Sequence, residues 1–166
     1  MIRLGTPADL AAVTGVYRRA SLSNPGDRDR LLAHPEYLVL EPAGLTEGRT
    51  HVAEENGAIV GFATWAEPDG TQPDGTAADG TPEDGTWADR SLELEDLFVD
   101  PRWMRRGVAT SLVNRVVEVL RSRGARNLSV TANPDALGFY RSVGFVDDGV
   151  AETALRRAPR MLLTIG

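Results

Sequence analysis

Leu97-Phe98-Val99-Asp100-Pro101-Arg102-Trp103-Met104-Arg105-Arg106-Gly107-Val108-Ala109-Thr110 is the stretch on which this chain turns. Residues 92–99 alternate as a strand does, and Asp100-Pro101 closes that strand. A basic turn follows. Beyond it Val108, Leu112, Val116 and Leu120, flanked by Ala109, Val113 and Val117, form a broad apolar stripe on a helix that Gly124 can end. The first peptide N–H groups of a helix have no partners within it. Aligned with the positive end of the helix dipole, they bind phosphate oxygens. Glycine at 107 lets a ligand come close to the backbone. Taken alone, this strand–turn–helix also fits an ordinary connection.

Upstream, Thr6-Pro7-Ala8-Asp9 has the form of a helix start: a hydroxyl cap, proline at the first helical position and an acid in the first turn. Leu10, Val13, Val16, Tyr17 and Ala20 then recur at helical spacing. Ser23-Asn24-Pro25-Gly26-Asp27 breaks that helix, and a second short one is predicted over 28–33. Residues 50–54 and 58–66 read as strands joined at Glu55-Asn56-Gly57, because Asn-Gly supplies the positive φ angles of a tight hairpin. Residues 67–90 repeat Asp-Gly-Thr from Asp69, Asp74, Asp79 and Asp84 with almost no apolar side chains, and are expected to be a flexible acidic insertion. Downstream, 128–131 is a short strand. Asn133-Pro134-Asp135-Ala136 starts a helix running to about 142, and 145–147 and 160–165 are candidate final strands. The element order predicts a mixed α/β (α+β) fold with an antiparallel beginning.

Composition narrows the chemistry. With 166 residues, of which 42% are hydrophobic, the chain is expected to fold as one domain spanning 1–166. It has no cysteine, so thiolate metal sites, disulfides and cysteine nucleophiles are excluded. All 18 basic residues are arginine, which excludes lysine Schiff-base chemistry and matches the bias of GC-rich bacterial genes. A net charge of −6 argues against nucleic acid as a partner. The start lacks the apolar core of a secretory signal and no long apolar run follows, so no membrane association and a cytoplasmic location are expected. His34 and His51 are isolated and read as structural or surface residues.

About two dozen residues after Gly107 comes a second motif, in which Asn133, Ala136, Phe139-Tyr140 and Gly144-Phe145 resemble the pattern Asn, Ala, Phe-Tyr, Gly-Phe of the GNAT acetyltransferases. Together with the glycine turn it is specific, and the resemblance covers most of the chain outside 67–90. Two positions depart from the family. Met104 stands where its phosphate loop usually has Gln or Arg, and Arg105 where a glycine is common.

The resemblance implies a central mixed, mostly antiparallel twisted sheet, flanked by helices and splayed between its fourth and fifth strands, here 92–99 and 128–131. It implies acetyl-CoA as cosubstrate, no metal, and transfer to a small-molecule or peptide amine, with homodimers frequent. Carried over, Leu97, Phe98 and Val99 face the pantetheine through their backbone, and the Leu97 N–H polarises the thioester carbonyl. Arg105, Arg106, Gly107, Val108, Ala109 and Thr110 hold the pyrophosphate. Asn133, Ala136 and Phe139 line the cofactor, and Tyr140 protonates the departing thiolate. Glu93 is in register with the general base of some members. Glu95 shares its strand face, nearer the thioester, and Asp96 faces the other way. Tyr17, Leu22 and Tyr37 lie where acceptors are usually enclosed. A second reading, a non-catalytic acetyl-CoA sensor or interaction domain, differs in lacking amine-dependent thioester cleavage. A dinucleotide enzyme is disfavoured because Gly-x-Gly-x-x-Gly is absent.

Overall fold

The computed structural model describes residues 1–67, 92–153 and 157–165. Its strands are β1 (Ile2–Leu4), β2 (Thr50–Glu55), β3 (Ala58–Ala66), β4 (Leu92–Val99), β5 (Asn127–Thr131), β6 (Val146–Glu152) and β7 (Arg157–Thr164). They form one sheet in the order β1-β2-β3-β4-β5-β7-β6. The helices are α1 (Leu10–Leu22), α2 (Pro25–Ala33), α3 (Ala43–Thr46), α4 (Val108–Ser122) and α5 (Leu137–Ser142). The pairs β1/β2, β2/β3, β5/β7 and β6/β7 are antiparallel, and β4/β5 is parallel. This is the mixed, mostly antiparallel sheet with helices that the sequence predicts. Among the described residues the β4/β5 register holds two pairs, Leu92 with Leu128 and Glu93 with Ser129, and then stops.

Two compact units divide the chain, residues 1–65 with 96–116 and residues 66–95 with 117–166, so the boundary passes through β4 and α4. In the first, Val13 and Val16 on one face of α1 pack with Val52 of β2 and Phe62 of β3, all fully buried, and Tyr17, Leu40, Ile59 and Phe98 close around them. The β2–β3 turn has φ 52° at Asn56 and 79° at Gly57, as the Asn-Gly pair requires. Gly61 on β3 is a place of close approach. A Cβ there would lie 3.0 Å from Val108 and 3.2 Å from Leu112, so its absence lets the start of α4 lie close against the strand. In the second unit Leu92, Leu94, Leu120, Leu128, Val130, Tyr140, Phe145 and Met161 are buried.

Several bounds differ from the sequence-based expectation. The helix expected over 28–33 begins at Pro25, because Asn24 accepts a hydrogen bond from the Gly26 N–H (3.0 Å) and proline fits the first helical position. The strands expected at 145–147 and 160–165 extend over β6 and β7. Their length comes from pairing with each other. β1, a 3-10 turn at Pro35–Leu38 and α3 carry too little periodicity to be read locally. The acidic insertion expected at 67–90 falls, beyond Glu67, outside the described residues.

Candidate active site

The segment from β4 to α4 has the shape of an anion cradle. Arg105 has φ 62° and Gly107 φ 82°, both in the left-handed region, so the backbone turns sharply twice just before the helix. The Gly107 carbonyl accepts the first helical hydrogen bond, from the Ser111 N–H at 3.0 Å. Gly107 is therefore the N-cap, and the N–H groups of Val108, Ala109 and Thr110 begin the helix without i−4 partners. No atom lies within 4 Å of a Cβ built on Gly107, and the residue is exposed. Arg105, Arg106 and Thr110 are also exposed, and Val108 and Ala109 are half-buried. At Arg105 a non-glycine residue holds a conformation that glycine favours, which accounts for the family's common glycine there.

On β4 the face alternation holds. Leu92 and Leu94 are buried, Glu93 is half-buried and Glu95 exposed. Asp96 lies on the other side, where its charge helps to raise the Tyr17 hydroxyl after burial, the larger cause. Glu93 Oε1 pairs with Arg160 Nη2 of β7 at 2.6 Å, and Arg160 Nη1 donates to Thr131 Oγ1 at 2.9 Å. Leu97 is half-buried and Val99 buried. The Phe98 ring packs edge-on against Tyr17 at 4.9 Å and tilted against Phe62 at 5.6 Å, so its side chain serves the core and its backbone alone remains for a ligand.

Tyr140 on α5 is held by aromatic edges. Its ring lies 5.3 Å from Phe139 and 5.3 Å from Phe145, at 67° and 75°. Burial pushes its hydroxyl up to about 12, so it is a neutral phenol at physiological pH. The turn of α5 that brings Phe145 back is closed by Gly144, φ 105°, and by the Phe145 N–H on the Tyr140 carbonyl at 3.0 Å. Asn133 Oδ1 accepts from the Asp135 N–H at 2.9 Å and so caps the turn into α5. Ala136 and Phe139 are half-buried.

Residues 16–145 match the Acetyltransferase (GNAT) family. The chain belongs to that family. An uncharacterised N-acetyltransferase of Methanocaldococcus jannaschii is 33% identical over 72 residues, covering 42% of this chain and 32% of that protein. Glucosamine 6-phosphate N-acetyltransferase 1 of Oryza sativa subsp. japonica is 37% identical over 57 residues, 34% of each chain. These matches span about a third of the length of the curated relatives. A putative acetyltransferase of Salmonella typhimurium, solved with its cofactor acetyl-CoA, superposes with TM-score 0.67 at 21% identity, over 100% of this chain and 94% of that one. The Escherichia coli ribosomal-protein-S18-alanine N-acetyltransferase superposes with TM-score 0.64 at 20% identity, over 100% and 94%. At such identities the likeness is one of fold.

Three features of this GNAT chain escape a reading of the sequence alone. Arg160 is invisible as the partner of Glu93, because only strand order brings β7 near β4. Asp100, whose side chain is 2% exposed, accepts from Arg102 and from Arg19 of α1, and donates its own N–H to the Val60 carbonyl at 2.8 Å. Its carboxyl is held down at about 2, chiefly by hydrogen bonds from Arg102. The signal was present: Asp100-Pro101 is the same cap-proline pair as Thr6-Pro7 and Asn133-Pro134. Finally, the Arg106 guanidinium sits 4.8 Å over the Trp103 ring, which holds that arginine against the turn.

Proposed function

We propose that this protein transfers the acetyl group of acetyl-CoA to a primary amine by direct attack. The observation that carries the reading is the turn at Arg105 and Gly107 running into α4, a backbone cradle of anion-binding form in a chain of net charge −6. Acetyl-CoA supplies an acyl group already activated as a thioester. The N–H groups of Val108, Ala109 and Thr110, with Arg105 and Arg106, hold its pyrophosphate, and the backbone of Leu97, Phe98 and Val99 orients its arm. The Leu97 N–H stabilises the charge that develops on the thioester oxygen. As the amine nitrogen bonds to the carbonyl carbon and the carbon–sulfur bond breaks, the amine gives up one proton and the sulfur gains one.

Tyr140 donates the proton to sulfur. Its neutral phenol suits that task, and the same dry surroundings make the departing thiolate a stronger base than it is in water. Glu95 accepts the proton from the amine, directly or through water. It is exposed and shares its strand face with Glu93, whose carboxylate pairs with Arg160. Ala136, Phe139 and the Asn133 amide line the cofactor. The whole chain works as one acetyltransferase domain.

The test is thiol release from acetyl-CoA over a panel of amines, alongside thermal melting. Amine-dependent release with a raised melting temperature supports the reading. Stabilisation without release for any amine would favour a sensor, and no effect of acetyl-CoA on melting would overturn the assignment.

A further inference from the structure

Within the second unit, Glu93, Ser129, Thr131 and Arg160 share one face of the sheet where two of its ladders end. Glu93 is the last residue of β4 registered with β5, opposite Ser129, and Arg160 of β7 stands opposite Thr131, the last β5 residue registered with β7. Partners directly opposite, and residues two apart on a strand, point to the same face. Arg160 Nη1 donates to Thr131 Oγ1 at 2.9 Å, and Nη2 reaches past β5 to Glu93 Oε1 at 2.6 Å. We infer that Arg160 is a positioning residue, which pins the last β4/β5 pair and so fixes where the two strands part.

Reach explains why an arginine does this. β4 and β7 flank β5, two strand spacings apart, or roughly 9–10 Å. A guanidinium on a long stem spans such a gap, and its fork lets one end hold Thr131 on the intervening strand while the other holds the carboxylate. Anchored at Thr131, the bridge resists movement of β4 away from β5. The Arg160 and Glu93 side chains are only 24% and 30% exposed, so water screens the pair less than it does an open surface pair, and a short charge-assisted bond there contributes more.

The place of the pair gives it a consequence. Among the described residues only two registered pairs, Leu92 with Leu128 and Glu93 with Ser129, join β4 to β5, against five between β5 and β7. A split in a sheet spreads by opening its last pair, and the bridge bears on that pair. The functional part of the inference rests on the acetyl-CoA reading, in which β4 continues into the 97–99 backbone that orients the thioester and β5 leads into Asn133. Strands fixed before the cofactor arrives need not be ordered by its binding, which spares that cost.

Amide hydrogen exchange of the ligand-free protein tests the pin, and calorimetry with acetyl-CoA tests its consequence. Arg160→Met and Glu93→Gln break the same pair from opposite sides. In each, exchange at residues 92–94 and 128–130 should quicken about tenfold, while Ala151 and Ala158, paired across β6/β7, keep the parent's rate. Acetyl-CoA should bind each variant about tenfold more weakly, with the KM for the amine unchanged. The double variant should lose no more than either single one. Exchange that quickens equally across β6/β7 would reduce the pair to general stability and overturn the inference. So would acetyl-CoA affinity equal to the parent's in both variants, or losses that add in the double variant. If the parent itself binds no acetyl-CoA, the acetyl-CoA reading fails, and the exchange rates alone decide whether Arg160 pins the strands.

Discussion

At the scale of single residues, the roles given to Tyr140 and Glu95 lead to opposite kinetic signatures. Tyr140→Phe keeps the ring that packs between Phe139 and Phe145 and removes only the hydroxyl. Turnover should fall about 100-fold, the lower end of general-acid effects, with acetyl-CoA affinity unchanged. Wild-type turnover, with chemistry shown to limit the rate, would make the tyrosine a packing residue. Glu95→Gln should abolish the acidic limb of the pH–rate profile, and Glu93→Gln should leave that limb in place. Because Glu93 pairs with Arg160, its loss is expected to act on stability instead, leaving the half-buried Arg160 without its carboxylate. An acidic limb lost only in Glu93→Gln would transfer the base to that residue. As candidates, these side chains were legible in the sequence. The pairing of Glu93 with Arg160 was not, because the two lie 67 positions apart in the chain and are brought together by pairing through β5.

At the scale of elements, the turn between β4 and α4 is held by backbone conformation at one end and by charge at the other. Gly107→Ala would place a Cβ at φ 82°, and although the space is open, the left-handed conformation costs about 1–2 kcal/mol. Arg105→Gly should relieve a cost of the same kind and raise stability by up to about 1 kcal/mol in chemical denaturation. A stability loss in Arg105→Gly would show that the guanidinium contributes more than the strain costs. Acid should act on that other end and on the Arg3–Asp9 pair ahead of α1. Asp9, bonded by Arg3, and Asp100, bonded by Arg102 and Arg19, are both held at about 2 against an ordinary 3.8. They bind protons less readily folded than unfolded. The stabilisation is therefore present above pH 3.8 and is lost as pH falls through about 2, up to roughly 2 kcal/mol for each. Acid unfolding of Asp100→Asn should lack part of that dependence. A slope equal to the parent's between pH 4 and 2 would remove Asp100 from the account.

At the scale of the whole molecule, both compact units draw on β4 and α4, so one cooperative unfolding transition is expected, and acetyl-CoA at 100 times its Kd should stabilise it by about 2.7 kcal/mol. Two separated transitions, only one of them moved by acetyl-CoA, would contradict a single domain. By itself the sequence determined what is local. The Asn56-Gly57 hairpin, the cap-proline starts at Thr6 and Asn133, the alternation of β4 and the stripe of α4 all depend on neighbours within a few positions, where side-chain periodicity and backbone preference act directly. The glycine turn and the cap at Asn133 are local in the same way, each a conformation of a few adjacent residues. Only the tertiary structure decided the strand order, the end of the β4/β5 register after Glu93, the engagement of Glu93 by Arg160 and the meeting of Arg19 with Asp100. Those depend on contacts between residues far apart in the chain. Arginine and glutamate read alike as solvated surface until the fold gives one of them a partner.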